Sequence, residues 1–161
     1  MKKLIYTLLI IIALTNNSFS AGTASDSSDD SSNYMKAKNL IKAAKKYEKK
    51  GKIEKAQKKY KKAQKLLLKS NEKKPLQADT LNYLGFTTRK LGDYEKGEKF
   101  YLLGLQVEPN HNGINEYLGE LYVATNRMDM AKERLGVLKT CNCEEYEELK
   151  GIIDGTKKSK Y

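Results

Sequence analysis

From residue 36 onward, apolar residues return every three or four positions, the spacing that lays one face of a helix against a neighbour. Over 36–50, Leu40, Ala43, Ala44 and Tyr47 fall at i, i+3, i+4 and i+7, and Gly51 ends the run, as glycine does just past a helix C-terminus. A second helix, from Ile53 to about Lys73, carries Ile53, Ala56, Tyr60, Ala63, Leu66 and Leu67 on one face. It stops ahead of Pro75, because the residue before a proline is pushed out of helical geometry.

The same two-helix plan recurs. Residues 79–90 carry Leu81, Leu84, Gly85 and Thr88, Gly92-Asp93 turns the chain, and 94–107 carry Tyr94, Gly97, Tyr101 and Leu105 before Pro109. A third copy runs from Ile114 through Leu118, Gly119 and Tyr122, turns near Asn126, and continues with Met128, Ala131, Leu135 and Leu138. A last helix, Glu144 to about Asp154, places Tyr146, Leu149, Ile152 and Ile153 to cover the end of the stack. The pairs Leu84-Gly85 and Leu118-Gly119 lie 34 residues apart.

These residues resemble the tetratricopeptide repeat, whose signature sets a large residue, Leu-Gly, an aromatic, an alanine, a second aromatic and a terminal proline at fixed offsets. The middle copy supplies Leu81, Leu84, Gly85, Thr88, Gly97, Tyr101 and Pro109; the third supplies Asn115, Leu118, Gly119, Tyr122, Ala131 and Leu135, with Cys143 in the proline slot. The first supplies Leu40, Ala43, Ala44, Tyr47, Ala56 and Tyr60, with Pro75 late. Its offset to the middle copy is 41 rather than 34, and the extra seven residues are about two helical turns, so its second helix should be the longer one. Gly85, Gly119 and Ala44, and on the partner helices Gly97, Ala131 and Ala56, stand where two helices cross too closely for a larger side chain. The resemblance implies an all-α fold: a short right-handed α-solenoid of three helix pairs (about 37–77, 78–111 and 112–143) plus a C-terminal capping helix, 144–154, together forming a domain over 36–154.

The segment before this domain has a different character. Lys2 and Lys3, the apolar run Leu4 to Leu14 and the small residues of Ser18-Phe19-Ser20 read as an export signal over 1–20, cleaved after Ser20. The apolar run is short against the ~20 residues a membrane span needs. No cysteine follows it to take a lipid. A small exported protein, periplasmic or secreted, is therefore expected. Residues 21–35, rich in Ser and Asp, read as a disordered linker, and 155–161 as a flexible tail.

Charge sharpens the picture. The chain carries 31 Lys and Arg against 20 Asp and Glu, a formal +11. Residues 36–74 alone hold 17 lysines and three glutamates, whereas 75–161 hold 12 basic and 14 acidic residues. Such a lysine density is either a solvated surface or a patch drawn to an acidic protein, an anionic polymer or an anionic membrane surface. Only three of the basic residues are arginine, which leaves little scope for bidentate phosphate recognition, and export also argues against nucleic acid as a partner.

In the family it resembles, the first helix of each pair lines an inner groove. Here that row would hold Lys38, Lys42, Lys45 and Lys49, then Asn82, Tyr83, Phe86, Arg89 and Lys90, then Glu116, Tyr117 and Glu120. The groove would be basic at one end, aromatic in the middle and acidic at the other. A peptide segment of another protein of the cell envelope could lie in it, anchored on Phe86 and the tyrosines; the alternative is that these rings only complete the packing. Some members of the family hold a partner's C-terminal carboxylate with lysine and asparagine. Tyr83, Gly113 and Tyr117 stand where asparagine, lysine and arginine would be needed, so capture of that kind is not expected.

His111, Cys141 and Cys143 are the one candidate soft-metal or redox set, able in principle to hold Cu(I) or Zn(II). The competing readings are a Cys141–Cys143 disulfide, made difficult by the small ring, or free thiols. No Ser/His/Asp spacing, phosphate loop or paired-His motif is present, and Glu144, Glu145, Glu147 and Glu148 are explained by the dipole of the helix they begin. A non-enzymatic scaffold without a cofactor is the expectation.

Overall fold

The computed structural model describes residues 26–159; the export segment 1–20, residues 21–25 of the linker and residues 160–161 lie outside them. The described residues form seven helices and no strand: α1 (Asp26–Lys49), α2 (Ile53–Lys73), α3 (Ala78–Lys90), α4 (Tyr94–Val107), α5 (Asn112–Ala124), α6 (Met128–Leu138) and α7 (Glu144–Ile153). Each packs chiefly on its neighbours in the chain, giving three antiparallel pairs stacked in order, with α7 laid on α5 and α6. No described helix is long and apolar enough to cross a membrane.

The turn inside each pair is fixed by one residue in the left-handed region: Gly51 (φ +68°), Gly92 (φ +98°) and Asn126 (φ +58°). Glycine enters that region freely, and asparagine is among the few side chains that tolerate it. The close crossings fall where the small residues predict them. A Cβ at Gly85 would lie 2.5–2.8 Å from ring atoms of Tyr101, and one at Gly97 would lie 3.1 Å from the Gly85 carbonyl oxygen, so α3 and α4 meet almost backbone to backbone. At Gly119 the neighbour is Leu149, 2.5 Å from a would-be Cβ, and that is how α7 docks onto α5. Helix α2 has 21 residues against 14 for α4, the two extra turns expected from the longer offset.

Two boundaries differ from the sequence expectation. Helix α1 begins at Asp26, so most of the segment read as a disordered linker, 21–35, continues the helix. Its Ser/Asp composition is poor for a helix, but Asn33 is buried and the Tyr34 ring packs 5.9 Å from that of Tyr83, and tertiary packing outweighs weak propensity. The tail is likewise tied down over 155–159. The Lys157 and Thr156 side of the chain returns to α7, with the Lys157 amide and the Thr156 hydroxyl both donating to the Gly151 carbonyl (2.9 and 3.1 Å) and Lys157 Nζ reaching Glu148 (2.9 Å).

Charged pairs tie one helix pair to the next. Arg127, at the start of α6, makes a two-pronged bond to Glu98 of α4 (2.7 and 2.8 Å), and Lys90 of α3 meets Glu48 of α1 at 2.7 Å. Arg89 of α3 meets Glu120 of α5 at 3.4 Å with both side chains fully buried.

Candidate binding groove

The first helices of the pairs, α1, α3 and α5, form the inner row, and the stack curves far enough that its ends approach. Lys45 of α1 donates from Nζ to the Tyr117 hydroxyl of α5, 3.2 Å away, and lies 4.5 Å from the centre of the Phe86 ring on α3. Three elements thus meet on one spot of the concave face. Phe86 is itself almost wholly covered, by Tyr60 (rings 5.8 Å apart), Tyr117 (5.0 Å) and the Lys45 ammonium, so it serves as floor. Lys38 stands over the Tyr34 and Tyr83 rings at 5.4 and 5.9 Å. Cations over aromatic faces are attractive contacts, stronger as the site is drier.

Open pockets run along this face. One of about 490 Å³ is bounded by Lys45, Glu48, Lys49, Phe86 and Lys90 on one side and Glu144 and Glu148 of α7 on the other. A smaller one, about 230 Å³, lies between Lys45, Glu116, Tyr117 and the same acidic turn of α7. A third, about 340 Å³, opens beside the N-termini of α3 and α5 and includes Asp79, Asn82, Tyr83, Glu116, Tyr117 and Glu145. Burial pushes the phenol pKa of Tyr83 up, with Asp79 adding to it, and does the same for Tyr117, where Glu116 is the next contributor. Both phenols therefore stay neutral donors at ordinary pH.

Of the residues expected along the groove, Lys38, Lys45, Asn82, Tyr83, Phe86, Lys90, Glu116 and Tyr117 are gathered on this face. Lys42 lies exposed on α1 and lines none of the three pockets. Arg89 and Glu120 are not groove residues: their side chains are wholly covered, with Arg89 Nη1 donating to the Tyr117 carbonyl at 2.7 Å. They face the interval between α3 and α5 and join the two helices there.

The groove also contains residues that the sequence reading left out. Tyr34 extends the aromatic row, and Glu144, Glu145 and Glu148 turn the capping helix into a wall. The apolar face of α7 shows that it packs, but only the curvature of the stack shows that its acidic edge looks toward Lys45.

The metal set is dissolved by the structure. Cys141 and Cys143 are joined in a disulfide, their Cα atoms 5.2 Å apart, in the turn between α6 and α7. Asn142 between them adopts φ +48°, the local kink that closes so small a ring. His111 is engaged elsewhere: Nδ1 accepts from the Ile114 amide at 3.2 Å, capping α5, so the ring proton sits on Nε2, which faces Asp79 at 3.3 Å. Among the described residues no group of three or more His, Cys, Asp or Glu side chains could hold a metal ion.

No protein-family model matches the chain, and no curated protein does. Solved structures do. The first TPR of Spaghetti (RPAP3), bound to the HSP90 peptide SRMEEVD, aligns with a TM-score of 0.53 at 21% identity over 76% of this chain and 94% of that one. The first TPR domain of human RPAP3 aligns at 0.54 and 21%, over 78% and 98%. The second TPR domain of human RPAP3, in complex with the HSP70 peptide SGPTIEEVD, aligns at 0.54 and 14%, over 78% and 98%. At these identities the likeness is one of fold: the chain has the α-solenoid fold of these TPR domains.

Proposed function

We propose that the protein is a non-enzymatic scaffold that binds a peptide segment of another protein along the concave face built from α1, α3, α5 and the acidic edge of α7. The observation that carries this reading is the convergence of Lys45, Phe86 and Tyr117 with Glu144 and Glu148 on one open, aromatic-floored groove. Two of the structural neighbours hold peptides of partner proteins, which supports the same use of the fold here. Their peptides, SRMEEVD and SGPTIEEVD, are acidic at the C-terminus. The carboxylates of α7 would repel such a tail, so the occupant here has a different charge pattern. With the export signal read at 1–20, the partner is a protein of the cell envelope.

The test is crosslinking and affinity capture of the exported protein from its native envelope, comparing wild type with Tyr83→Ala and Lys42→Glu. A defined partner that is lost in Tyr83→Ala supports the groove; equal recovery from both variants and wild type sinks it. Phe86→Ala is a poor probe, since truncating a buried phenylalanine costs about 3–5 kcal/mol and would blur binding with unfolding.

A second reading rests on the outer face of the first pair, where Lys55, Lys58, Lys59 and Lys62 surround Tyr47 on α1 and α2. That patch would hold the protein against anionic lipid or polymer. Vesicle binding that fails to weaken with added salt would count against it, because diffuse attraction is screened within about 10 Å at 0.1 M salt.

A further inference from the structure

The pocket beside the N-termini of α3 and α5 differs in kind from the rest of the groove. Asp79, Glu108, Glu116 and Glu145 bring four carboxylates to it, and no lysine or arginine is among its lining residues. Against them stand His111, whose Nε2 faces Asp79 at 3.3 Å, and the N-termini of α3 and α5, each worth about half a positive charge. Acidity alone would mean little, but Asn82 adds an independent observation. The residue is 5% exposed, and its Oδ1 is buried without a hydrogen-bond partner. A carbonyl oxygen only accepts, so what is missing there is a donor. Gly113 is what admits this side chain: a Cβ at that position would lie 2.7 Å from Asn82 Nδ2. Tyr83 and Tyr117 form further walls, with Asn110, His111 and Asn112 at the start of α5. The chain's own lysines already show what those rings take, with Lys38 Nζ 5.9 Å from the centre of Tyr83 and Lys45 Nζ 5.4 Å from that of Tyr117.

We propose that this pocket receives a cationic side chain, lysine or arginine, of the peptide that occupies the groove. The inference rests on the scaffold reading and specifies it. The occupant places a positive residue against Asp79 and Glu145, its N–H donors turn toward the Asn82 carbonyl, and its alkyl stem lies between the two tyrosines. Both candidate cations carry several donors and no acceptor, which suits a pocket rich in acceptors.

The experiment uses the folded protein and small capped probes: acetyl-arginine amide, acetyl-lysine amide and, as a neutral analogue of similar shape, acetyl-norleucine amide, each titrated while backbone amide NMR signals are followed. Saturable shifts at Asn82 and Gly113 with a cationic probe, absent with norleucine, are expected, and the tighter of the two cations identifies the residue class. In the doubly substituted Asp79→Asn, Glu145→Gln protein the affinity should fall roughly tenfold, the scale of one charge-assisted hydrogen bond. Both sites are at the surface or half-buried, so the fold should survive, as the unperturbed spectrum of the free variant will show. No saturable shift with either cation, equal shifts with norleucine, or undiminished affinity in the variant would overturn the proposal. Failure of the scaffold reading looks different: no partner is captured in the envelope experiment, whatever the probes do.

Discussion

The junction between the first and second helix pairs and that between the second and third solve one problem with opposite charges. Glu48 and Arg89 occupy the same slot, 41 residues apart, the offset that also relates Ala44 to Gly85 and Tyr60 to Tyr101. Each reaches into the following pair: Glu48 to Lys90, with side chains 27% and 9% exposed, and Arg89 to Glu120, both at 0%. The Glu48–Lys90 pair therefore keeps contact with solvent, and the Arg89–Glu120 pair does not. A wet pair is screened and contributes little, whereas a dry one, once formed, penalises the loss of either partner, because the other charge is left without solvent. The repeat thus fixes where a charge goes, and the depth of packing decides how much depends on it.

The largest test removes a dry partner. Glu120→Ala should destabilise the protein by about 3–5 kcal/mol, against about 1 kcal/mol for Lys90→Ala, both read from urea unfolding. Equal costs would break the comparison. Next comes the crossing slot. In Gly85→Ala the new methyl meets the Tyr101 ring, which is buried and has little room to retreat, so a loss of about 1–3 kcal/mol is expected. The reverse change in the first pair, Ala44→Gly, should cost only about 0.5–1 kcal/mol, from the added freedom of the unfolded chain.

A smaller effect separates the two tyrosines of that slot. Tyr60 donates its hydroxyl to Glu48 at 2.8 Å, while the Tyr101 hydroxyl is buried with no partner. Tyr60→Phe should therefore lose about 0.5–1.5 kcal/mol, and Tyr101→Phe should be neutral or stabilising in the same thermal melt. Titration gives the smallest signal. Burial raises both phenol pKa values, so their contribution is complete below about pH 10, where unfolded tyrosine begins to ionise, and is lost as pH rises further. Phenolate absorbance from these two side chains should appear only together with alkaline unfolding; its appearance in the folded protein would contradict their burial.

Much of this architecture was legible in the sequence. The turn residues Gly51, Gly92 and Asn126, the small residues at the crossings and the two extra turns of α2 are local or periodic features, and local physics reads them. Other features were not. The Ser/Asp segment ahead of residue 36 looks unstructured until Asn33 is buried and Tyr34 packs against Tyr83. Arg89 and Glu120, polar and on the inner helices, look like groove residues, and nothing in their separation of 31 positions signals that they neutralise each other in the interior. The acidic edge of α7 has a sufficient local explanation in the helix dipole, which hid its second position as a groove wall. Each miss needed a contact between pairs, where curvature rather than period decides which side chains meet.

The neighbour-on-neighbour order of the seven helices has a kinetic consequence. Because contacts fall mainly between helices next to one another in the stack, loop closure costs little entropy and the molecule should fold quickly, from whichever pair forms first. Opening should proceed from the two ends inward. Amide hydrogens of α3 to α5 would then exchange last, and release of α1 or α7 would open one wall of the groove while the central helices stay folded.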